Sequence, residues 1–396
     1  MDVIHLPFEL WTLIFDLLDI KVQVRLIQLC KTIKDKIFIT DLCNIDIKFK
    51  IKLNGYIIKK YPYIKKLDAH LNSKIKNQDL VGLNLVELDA NYNPEIKKIN
   101  HMTNLRKLNA VGYCGIGDDD LIGLNLIELD ANYNPEIKKI NHMTNLRKLN
   151  AGGYCGIGDD DLISTFGGLN LVELNADRNP KIKKINHMTN LRKLNAGENC
   201  GIGDDDLVST FGGLNLVELN ADGNPKIKKI NHMTNLRKLN ANYNSGIEDD
   251  NLIGLNLVEL YAYNNPKIKK INHMTNLRIL HAVGDSGIDD ENLIGLNLVE
   301  LNASYNSKIK KINHMTNLRI LNAREYCGIC DESLIGLNLV ELIADGNEKI
   351  KNINHMTNLR ILYASENCGI GDNDLVGLNL VELNANYNPK IRKIKH

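Results

Sequence analysis

The chain has 396 residues, of which 43% are hydrophobic, and its 49 lysines and arginines nearly balance 48 aspartates and glutamates. A formal net charge of +1 supplies no overall field that would attract nucleic acid or a membrane surface. No apolar run approaches the ~20 residues of a membrane span, and the N-terminus lacks the positive start and apolar stretch of a signal peptide. We therefore expect a protein of the cytoplasm or nucleus with no nucleic-acid and no membrane partner.

Residues 1–40 do not repeat and are predicted to form a small helical head. One apolar helical pattern starts at Leu6-Pro7-Phe8-Glu9-Leu10, and a second runs through Val22, Leu26, Leu29 and Ile33. Pro7 suits the first position of a helix, where its missing N–H does no harm. Apolar periodicity alone would fit a cap over the open end of a repeat array.

The spacing within the head is more specific than its periodicity. The head contains Leu6-Pro7-x-Glu9-Leu10, then Ile14-Phe15 and Leu18, then Arg25-Leu26 and Leu29-Cys30-Lys31. This arrangement resembles an F-box, a helical motif that binds the Skp-type linker of a cullin–RING ubiquitin ligase. The second helix departs from the family pattern at Ile20, Val22, Gln23 and Ile33. The resemblance implies linker contacts from Leu6, Pro7, Glu9, Leu10, Ile14, Phe15, Leu18, Leu26, Leu29 and Cys30.

Residues 41–62 are predicted to join the head to the rest of the chain. Polar and apolar residues alternate strictly from Ile45 to Lys52, which is the pattern of a strand. Asn54-Gly55 then supplies a turn. We expect this strand to pair with the first strand of the repeats and to cover its edge.

From residue 63 to 396 the chain alternates two kinds of turn, which we call first-type and second-type turns. Successive first-type turns lie 41 residues apart, except for two steps of 45 that carry Ser-Thr-Phe-Gly at 164–167 and 209–212. With a degenerate copy from Ile64, there are about 16 turns. First-type turns begin at Leu85, Leu126, Leu171, Leu216, Leu257, Leu298, Leu339 and Leu380, and second-type turns at Leu105, Leu146, Leu191, Leu236, Leu277, Leu318 and Leu359.

Both kinds of turn share the skeleton L-x-x-L-x-A-x-x-N/Y-x-x-I, which resembles the leucine-rich repeat. Such a turn cannot bury its apolar face alone and must stack on its neighbours. The predicted fold is therefore α/β: a right-handed solenoid with a parallel sheet on its concave face and turns ~4.8 Å apart. An asparagine recurs in every first-type turn, as at Asn93, and a buried column of amides could satisfy the backbone where each strand ends. Together with the head, the chain resembles the F-box/leucine-rich-repeat proteins of giant amoeba-infecting viruses.

Several recurring residues could carry chemistry, but their spacing argues against it. Equivalent cysteines, such as Cys114 and Cys155, and equivalent histidines, such as His101 and His142, lie two turns or about 10 Å apart. That distance is too long for a disulfide or a shared zinc ion. Cys327-Gly-Ile-Cys330 is a single C-x-x-C, which is weak evidence for a metal or redox site. We expect the histidines to be solvated, and the aspartate runs to interlock as surface charge with lysines of the next turn. The sequence predicts no catalytic site, cofactor or metal.

The last third of the repeats offers the best candidate for a partner site. Early strands pair Glu with Lys on neighbouring turns, as at Glu87 and Lys107, whereas from Leu257 onward Lys gives way to Ile. Exposed aromatic and apolar groups favour recognition of a partner, although drift among duplicated repeats is the alternative. The predicted concave-face residues are Tyr261, Tyr263, Ile279, His281, Ile320, Arg324, Ile343, Ile361 and Tyr363.

The combined resemblance implies a substrate-recognition adaptor of an SCF-type cullin–RING ubiquitin ligase. The head would dock on the Skp-type linker, and the solenoid would bind an unknown target protein. We expect a non-enzymatic monomer within a larger complex, in a host cell if the protein is viral. The alternative is a non-catalytic interaction scaffold whose first helices only cap the solenoid.

Overall fold

A computed structural model describes residues 8–29, 36–43, 45–163, 169–208 and 214–392. The chain divides into two compact units, Met1–Leu191 and Arg192–His396. Both units consist of stacked turns whose strands are three residues long and pair in parallel, which confirms the predicted leucine-rich-repeat solenoid. No helix among these described residues is long and apolar enough to cross a membrane.

The first unit begins with the head and the junction. Its helices are α1 (Phe8–Asp16), α2 (Ile20–Leu29), α3 (Ile47–Lys50) and α4 (Gly55–Ile58). Its described strands are β1 (Asp41–Leu42), β2 (Lys66–Asp68), β3 (Glu87–Asp89), β4 (Lys107–Asn109), β5 (Glu128–Asp130), β6 (Lys148–Asn150) and β7 (Glu173–Asn175). Short helices at Asn77–Leu80, Asp118–Leu121 and Asp159–Leu162 lie on the outer wall, opposite the strands.

The second unit continues the same two kinds of turn. Its strands are β8 (Lys193–Asn195), β9 (Glu218–Asn220), β10 (Lys238–Asn240), β11 (Glu259–Tyr261), β12 (Ile279–His281), β13 (Glu300–Asn302), β14 (Ile320–Asn322), β15 (Glu341–Ile343), β16 (Ile361–Tyr363) and β17 (Glu382–Asn384). Its outer wall carries α-helical turns at Asp204–Leu207 and Asp331–Leu334 and 3-10 turns at Asp249–Asn251, Glu291–Leu293 and Asp372–Leu375.

The core consists of apolar side chains that repeat from turn to turn. The middle residue of each strand is a leucine, and it pairs with the middle leucine of the next strand, as Leu88 does with Leu108. Leu85, Ala90 and Ile96 are fully buried, as are their equivalents in the following turns of both units, except in the last turn, where Leu380 is half-buried. The strand alternation that sends these side chains inward sends the first and third residues of each strand to solvent.

The asparagine column satisfies the backbone as the sequence predicted. Asn134 donates its amide to the carbonyl oxygens of Ala110 and Ile116 in the preceding turn, at 2.9 and 3.2 Å. Its side-chain oxygen accepts the N–H of Glu136 at 3.0 Å. The same bonds recur at Asn179, Asn224, Asn265, Asn306, Asn347 and Asn388.

Small side chains fill the same column in second-type turns. The Cys155 thiol donates to the Ala151 carbonyl at 3.0 Å and lies 3.4 Å from the Asn179 amide nitrogen. Where serine replaces cysteine, the Ser245 hydroxyl accepts the Ile247 N–H at 3.3 Å. The following glycine is required by close approach, since a Cβ at Gly156 would lie 2.4 Å from the Ile137 carbonyl oxygen. Cysteine is therefore a structural residue of this column.

In the described turns, the first aspartate of each run contacts backbone N–H groups of the next turn and not the lysine ammonium groups, so the predicted interlocking of charge is wrong at this position. Asp118 accepts the backbone N–H groups of Lys138 and Lys139 at 2.6 and 2.8 Å. Asp120 accepts the N–H of Gly117 at 2.9 Å and closes its own helical turn. Charged acceptors make stronger hydrogen bonds than neutral ones. The runs therefore connect the backbone of one turn to the backbone of the next.

The predicted strand over residues 45–52 is also wrong, because this segment is helical. Asp46 accepts the Lys48 N–H at 2.9 Å and starts α3, while Asn54 accepts the Ile57 N–H at 3.1 Å and starts α4. The Asn72 amide then bonds the carbonyls of Lys50 and Leu53. The strand that covers β2 is β1, whose Leu42 pairs with Leu67.

Loss of one ladder amide should destabilise the protein strongly. In Asn347→Ala the buried carbonyls of Ala323 and Ile329 lose their donor, and the Lys349 N–H loses its acceptor. We expect the free energy of unfolding in urea to fall by about 3 kcal/mol. Asn317→Ala is the matched control, because Asn317 forms only an exposed amide–amide bond with Asn297, and it should change stability by less than about 0.5 kcal/mol. Equal effects of the two changes would contradict the ladder's role.

Neighbouring aspartates should differ in their contribution to stability. Asp249 accepts the N–H groups of Lys269 and Lys270 at 2.6 and 2.8 Å, whereas Asp250 is exposed. We expect Asp249→Ala to lower the free energy of unfolding by about 1 to 2 kcal/mol and Asp250→Ala to leave it nearly unchanged. A chemical-denaturation series of the two variants checks this, and a larger loss for Asp250→Ala would show that net charge matters more than the backbone bonds.

Candidate partner-binding surfaces

The predicted partner residues come together on one face of the second unit. We call the solvent-facing side chains of β11 to β17, and of the residue two places beyond each strand, the late face. Strand register places Ile279, Ile320 and Ile361 in one row that alternates with glutamates. Tyr261, His281, Ile343 and Tyr363 lie in a second row, and Tyr263 and Arg324 in a third. The strand register therefore places these nine residues on one face, and their role in binding a partner stays a prediction.

Earlier turns have a different face, built from alternating acid and base. Lys107 lies 3.1 Å from Glu87, Lys148 lies 3.6 Å from Glu128, and Lys238 lies 2.8 Å from Glu259. The hydrogen bond that Lys107 donates to Glu87 raises the pKa of Lys107, and the bond that Lys238 donates to Glu259 raises the pKa of Lys238. Each cation here has a carboxylate on a neighbouring strand, so this face is electrically balanced.

Aromatic rings mark the start of the late face. The rings of Tyr261 and His281 are 4.5 Å apart between centroids, and the Lys238 ammonium lies 5.3 Å from the Tyr261 ring. His281 Nε2 is 3.1 Å from Glu300. Tyr263 packs edge-on against Tyr243 at 4.8 Å. These contacts hold flat, half-buried groups in fixed orientations, which suits recognition of a partner.

Negative charge marks the other end of the late face. Tyr363 donates its hydroxyl to Glu382 at 2.7 Å. That hydrogen bond is the main reason that the pKa of Tyr363 is raised, with further contributions from the negative charges of Glu341 and Asp345. Arg324 donates twice to Asp345, at 2.9 and 2.6 Å. The only predicted cation of this set is thus already paired.

Sequence reasoning missed the acidic members of this face, Glu300, Glu341 and Glu382. Glutamate occupies this strand position in every first-type turn from Glu87 onward, so nothing about the residue itself stands out. The available signal was the residue on the neighbouring strand. Where that residue changes from lysine to isoleucine, the glutamate loses its lysine partner.

The head presents a second candidate surface. Leu10, Leu13 and Ile14 of α1 are 44, 60 and 40% exposed, and Leu17, the residue after the helix, is 87% exposed, while Phe15 is buried. Gln23 of α2 donates to the carbonyls of Phe15 and Leu18 at 2.8 and 3.1 Å and ties the two helices together. Leu18 and Leu26 are half-buried. The predicted residues Leu6, Pro7 and Cys30, and the side chains of Glu9 and Leu29, lie outside the described residues.

A cavity of about 540 Å³ lies between α2 and the junction helices. Its walls include Val24, Ile39, Phe49 and Leu53, and Lys21 lies 5.0 Å from the Phe49 ring. Exposed Phe49 and Ile51 show that the alternating residues of the junction do not face one core.

The recurring cysteines and histidines have structural surroundings. Burial raises the pKa of Cys114, Cys155, Cys327 and Cys368 to about 11. His142, His273 and His314 are exposed to solvent, as predicted, and each ring also contacts a leucine carbonyl of the preceding turn at 3.2 or 3.3 Å. Burial lowers the pKa of His187. Within the described part of the chain, no three His, Cys, Asp or Glu side chains cluster as metal ligands.

One comparison with a solved structure supports the fold. No family model and no curated protein matches this sequence. The crystal structure of a TLR13–ssRNA13 complex aligns with 84% of this chain at 18% identity and a TM-score of 0.53. This chain spans only 55% of the length of that one. The similarity supports the leucine-rich-repeat fold alone.

Two further solved structures align over most of their own length. An internalin, InlF, from Listeria monocytogenes aligns at 22% identity, with 86% of this chain, 88% of its own and a TM-score of 0.36. A yeast complex of Rad7 and Elc1 aligns at 14% identity, with 85% of this chain, 88% of its own and a TM-score of 0.46.

The two cysteines of the C-x-x-C should react very differently. Cys327 is fully buried with a pKa of about 11, so about one thiol in a thousand is ionised at pH 8. Cys330 is only half-buried and points its thiol at Glu332. We expect brief iodoacetamide treatment of the native protein to label Cys330 but not Cys327, as read by peptide mass spectrometry, and denaturant to equalise them. Equal native labelling would argue against the buried column.

Proposed function

We propose that this protein is the substrate-recognition adaptor of an SCF-type cullin–RING ubiquitin ligase. The helical head is an F-box that docks on the Skp-type linker, and the late face binds a target protein. The chain contributes no chemistry itself and acts by holding the target near the transferred ubiquitin. As such an adaptor it works in the cytoplasm or nucleus, of a host cell if it is viral, as a monomer within the complex.

Linker docking is supported by the apolar stripe of α1, which faces solvent. Leu10, Leu13 and Ile14 stand at i, i+3 and i+4, so they share one face of α1, and Leu17 follows directly after the helix at i+7. A helix that served only as a cap would bury this stripe against the first turns. Here Phe15 alone among the apolar residues of its turn is fully buried, and the stripe is exposed. Amphipathic helices with such stripes bind apolar grooves on partner proteins.

The second candidate is a non-catalytic interaction scaffold in which the head only covers the open end of the solenoid. The position of α2 beside the junction favours it, since Lys21 lies 5.0 Å from the Phe49 ring and α2 shares a cavity wall with Phe49 and Leu53. Both candidates use the late face to bind a protein, and they differ only in whether α1 has a partner of its own.

Direct binding of purified Skp-type linker distinguishes them. We expect the intact chain to bind the linker and Ile14→Glu/Leu17→Glu to bind it at least tenfold more weakly, because two charges would enter the apolar contact. Ile253→Glu/Ile294→Glu is the matched control, since these two isoleucines are 61 and 63% exposed on the outer wall. The control should bind like the intact chain. Absence of linker binding by the folded intact chain would leave the scaffold.

A further inference from the structure

The late face carries a pattern of charge that the earlier turns lack. In the earlier turns a lysine sits between successive glutamates and bridges to one or both of them, as Lys107 does to Glu87 and Glu128 at 3.1 and 3.9 Å. On the late face Ile279, Ile320 and Ile361 occupy the same register position. Glu300, Glu341 and Glu382 therefore keep their carboxylates without a lysine beside them.

Among the described residues no lysine or arginine takes the place of these lysines, and the one basic group beside the row is His281, whose Nε2 lies 3.1 Å from Glu300. Arg324 donates two hydrogen bonds to Asp345. Arg319 donates to the carbonyls of Thr316, Leu318 and Asn338, and Arg278 makes the equivalent bonds to Thr275, Leu277 and Asn297. Arginines of the earlier turns, such as Arg106, make these same carbonyl bonds, so they do not account for the difference. Glu382 itself accepts the Tyr363 hydroxyl at 2.7 Å, and that hydrogen bond is the main cause of the raised pKa of Tyr363.

The three carboxylates form a regular row. They lie on β13, β15 and β17, two strands apart each time, which corresponds to about 9.6 Å between neighbours. Beside this row, toward the ends of the strands, lie Ile343 and Tyr363. The face thus offers evenly spaced carboxylates along one line. The next line has Ile343 and Tyr363 at its centre, with asparagines on either side of them.

We propose that the late face binds an extended, basic segment of a partner protein in the polyproline II conformation, with a lysine or arginine at every third residue. This inference rests on the proposed function in that it names the kind of target segment that the face would hold. A polyproline II helix has three residues per turn and rises about 3.1 Å per residue, so every third side chain lies on one edge, about 9.3 Å apart. That spacing matches the row of carboxylates.

The remaining positions of such a segment also fit the face. A second edge of the polyproline II helix, occupied by proline, lies over Tyr363 and Ile343, and proline-rich segments pack well on aromatic surface. A β-strand has same-side side chains about 6.6 Å apart, so its cations would fall out of step with the carboxylates. The third edge faces solvent and is not constrained.

The test uses the full-length protein and a labelled synthetic peptide with four Lys-Pro-Pro units, followed by fluorescence anisotropy. We expect binding that weakens as salt is raised, because exposed ion pairs are screened. The key variant is Ile279→Lys/Ile320→Lys/Ile361→Lys, which rebuilds on the late face the Glu–Lys rows of the earlier turns. Those turns show that the fold accepts lysine at this register, and peptide affinity should fall at least tenfold. Glu87→Gln/Glu128→Gln, in the first unit, should bind the peptide as the unchanged protein does, within twofold.

Two further peptides test the register. A peptide of the same composition with its four lysines adjacent should bind at least fivefold more weakly, and a helical alanine-rich peptide with lysines seven residues apart should not compete. Equal binding of the clustered peptide, tighter binding of the helical one, or no binding of the Lys-Pro-Pro peptide would each overturn the proposal. If the adaptor proposal holds, the lysine-substituted variant must still bind the linker. Loss of peptide binding at the late face can therefore be distinguished from loss of linker binding by the head.

Discussion

The structure depends on how a chain with very short strands satisfies its backbone. Each turn of 20 or 21 residues gives only three to the sheet, so most N–H and C=O groups need another partner. Two side chains supply it. The asparagine amide bonds two carbonyls of the preceding turn, and the first aspartate of the outer-wall run bonds two N–H groups of the following turn. Both sets of hydrogen bonds join one turn to the adjacent turn. They therefore fix the spacing between turns as well as satisfying polar groups.

These two devices were not equally visible in the sequence. The asparagine column could be predicted, because one amide recurs beside the apolar skeleton at a fixed position. The aspartate role could not, because a run of three acids opposite two lysines looks the same whether the carboxylate meets the ammonium or the amide of lysine. The strand predicted in the junction was wrong for a related reason. Alternation from Ile45 to Lys52 is compatible with a strand, but Asp46 and Asn54 each start a helix. The Asn72 amide then donates to the carbonyls of Lys50 and Leu53.

The partner surfaces show a similar division between what is local and what depends on neighbours. Strand alternation was enough to assign Tyr261, Ile320 and Tyr363 to one exposed face. The significance of Glu341 depends instead on the residue one strand away, which is some twenty positions distant in the chain. The repeated buried side chains stabilise the fold, so the solvent-facing residues of the strands can change without disturbing it. That separation explains how a balanced face and a negative one can be built on the same framework.

The reach of the polar bonds has a further consequence for how such a molecule can evolve. The ladder amides bond carbonyls 18 and 24 positions back where no insertion intervenes, and never beyond the adjacent turn. Deletion or duplication of one 41-residue pair of turns would therefore join ends that are already complementary in register. Near-identical repeats also favour unequal recombination between copies of the gene. The length of the late face, and the number of its carboxylates, can thus change in discrete steps, each of which adds or removes two strands.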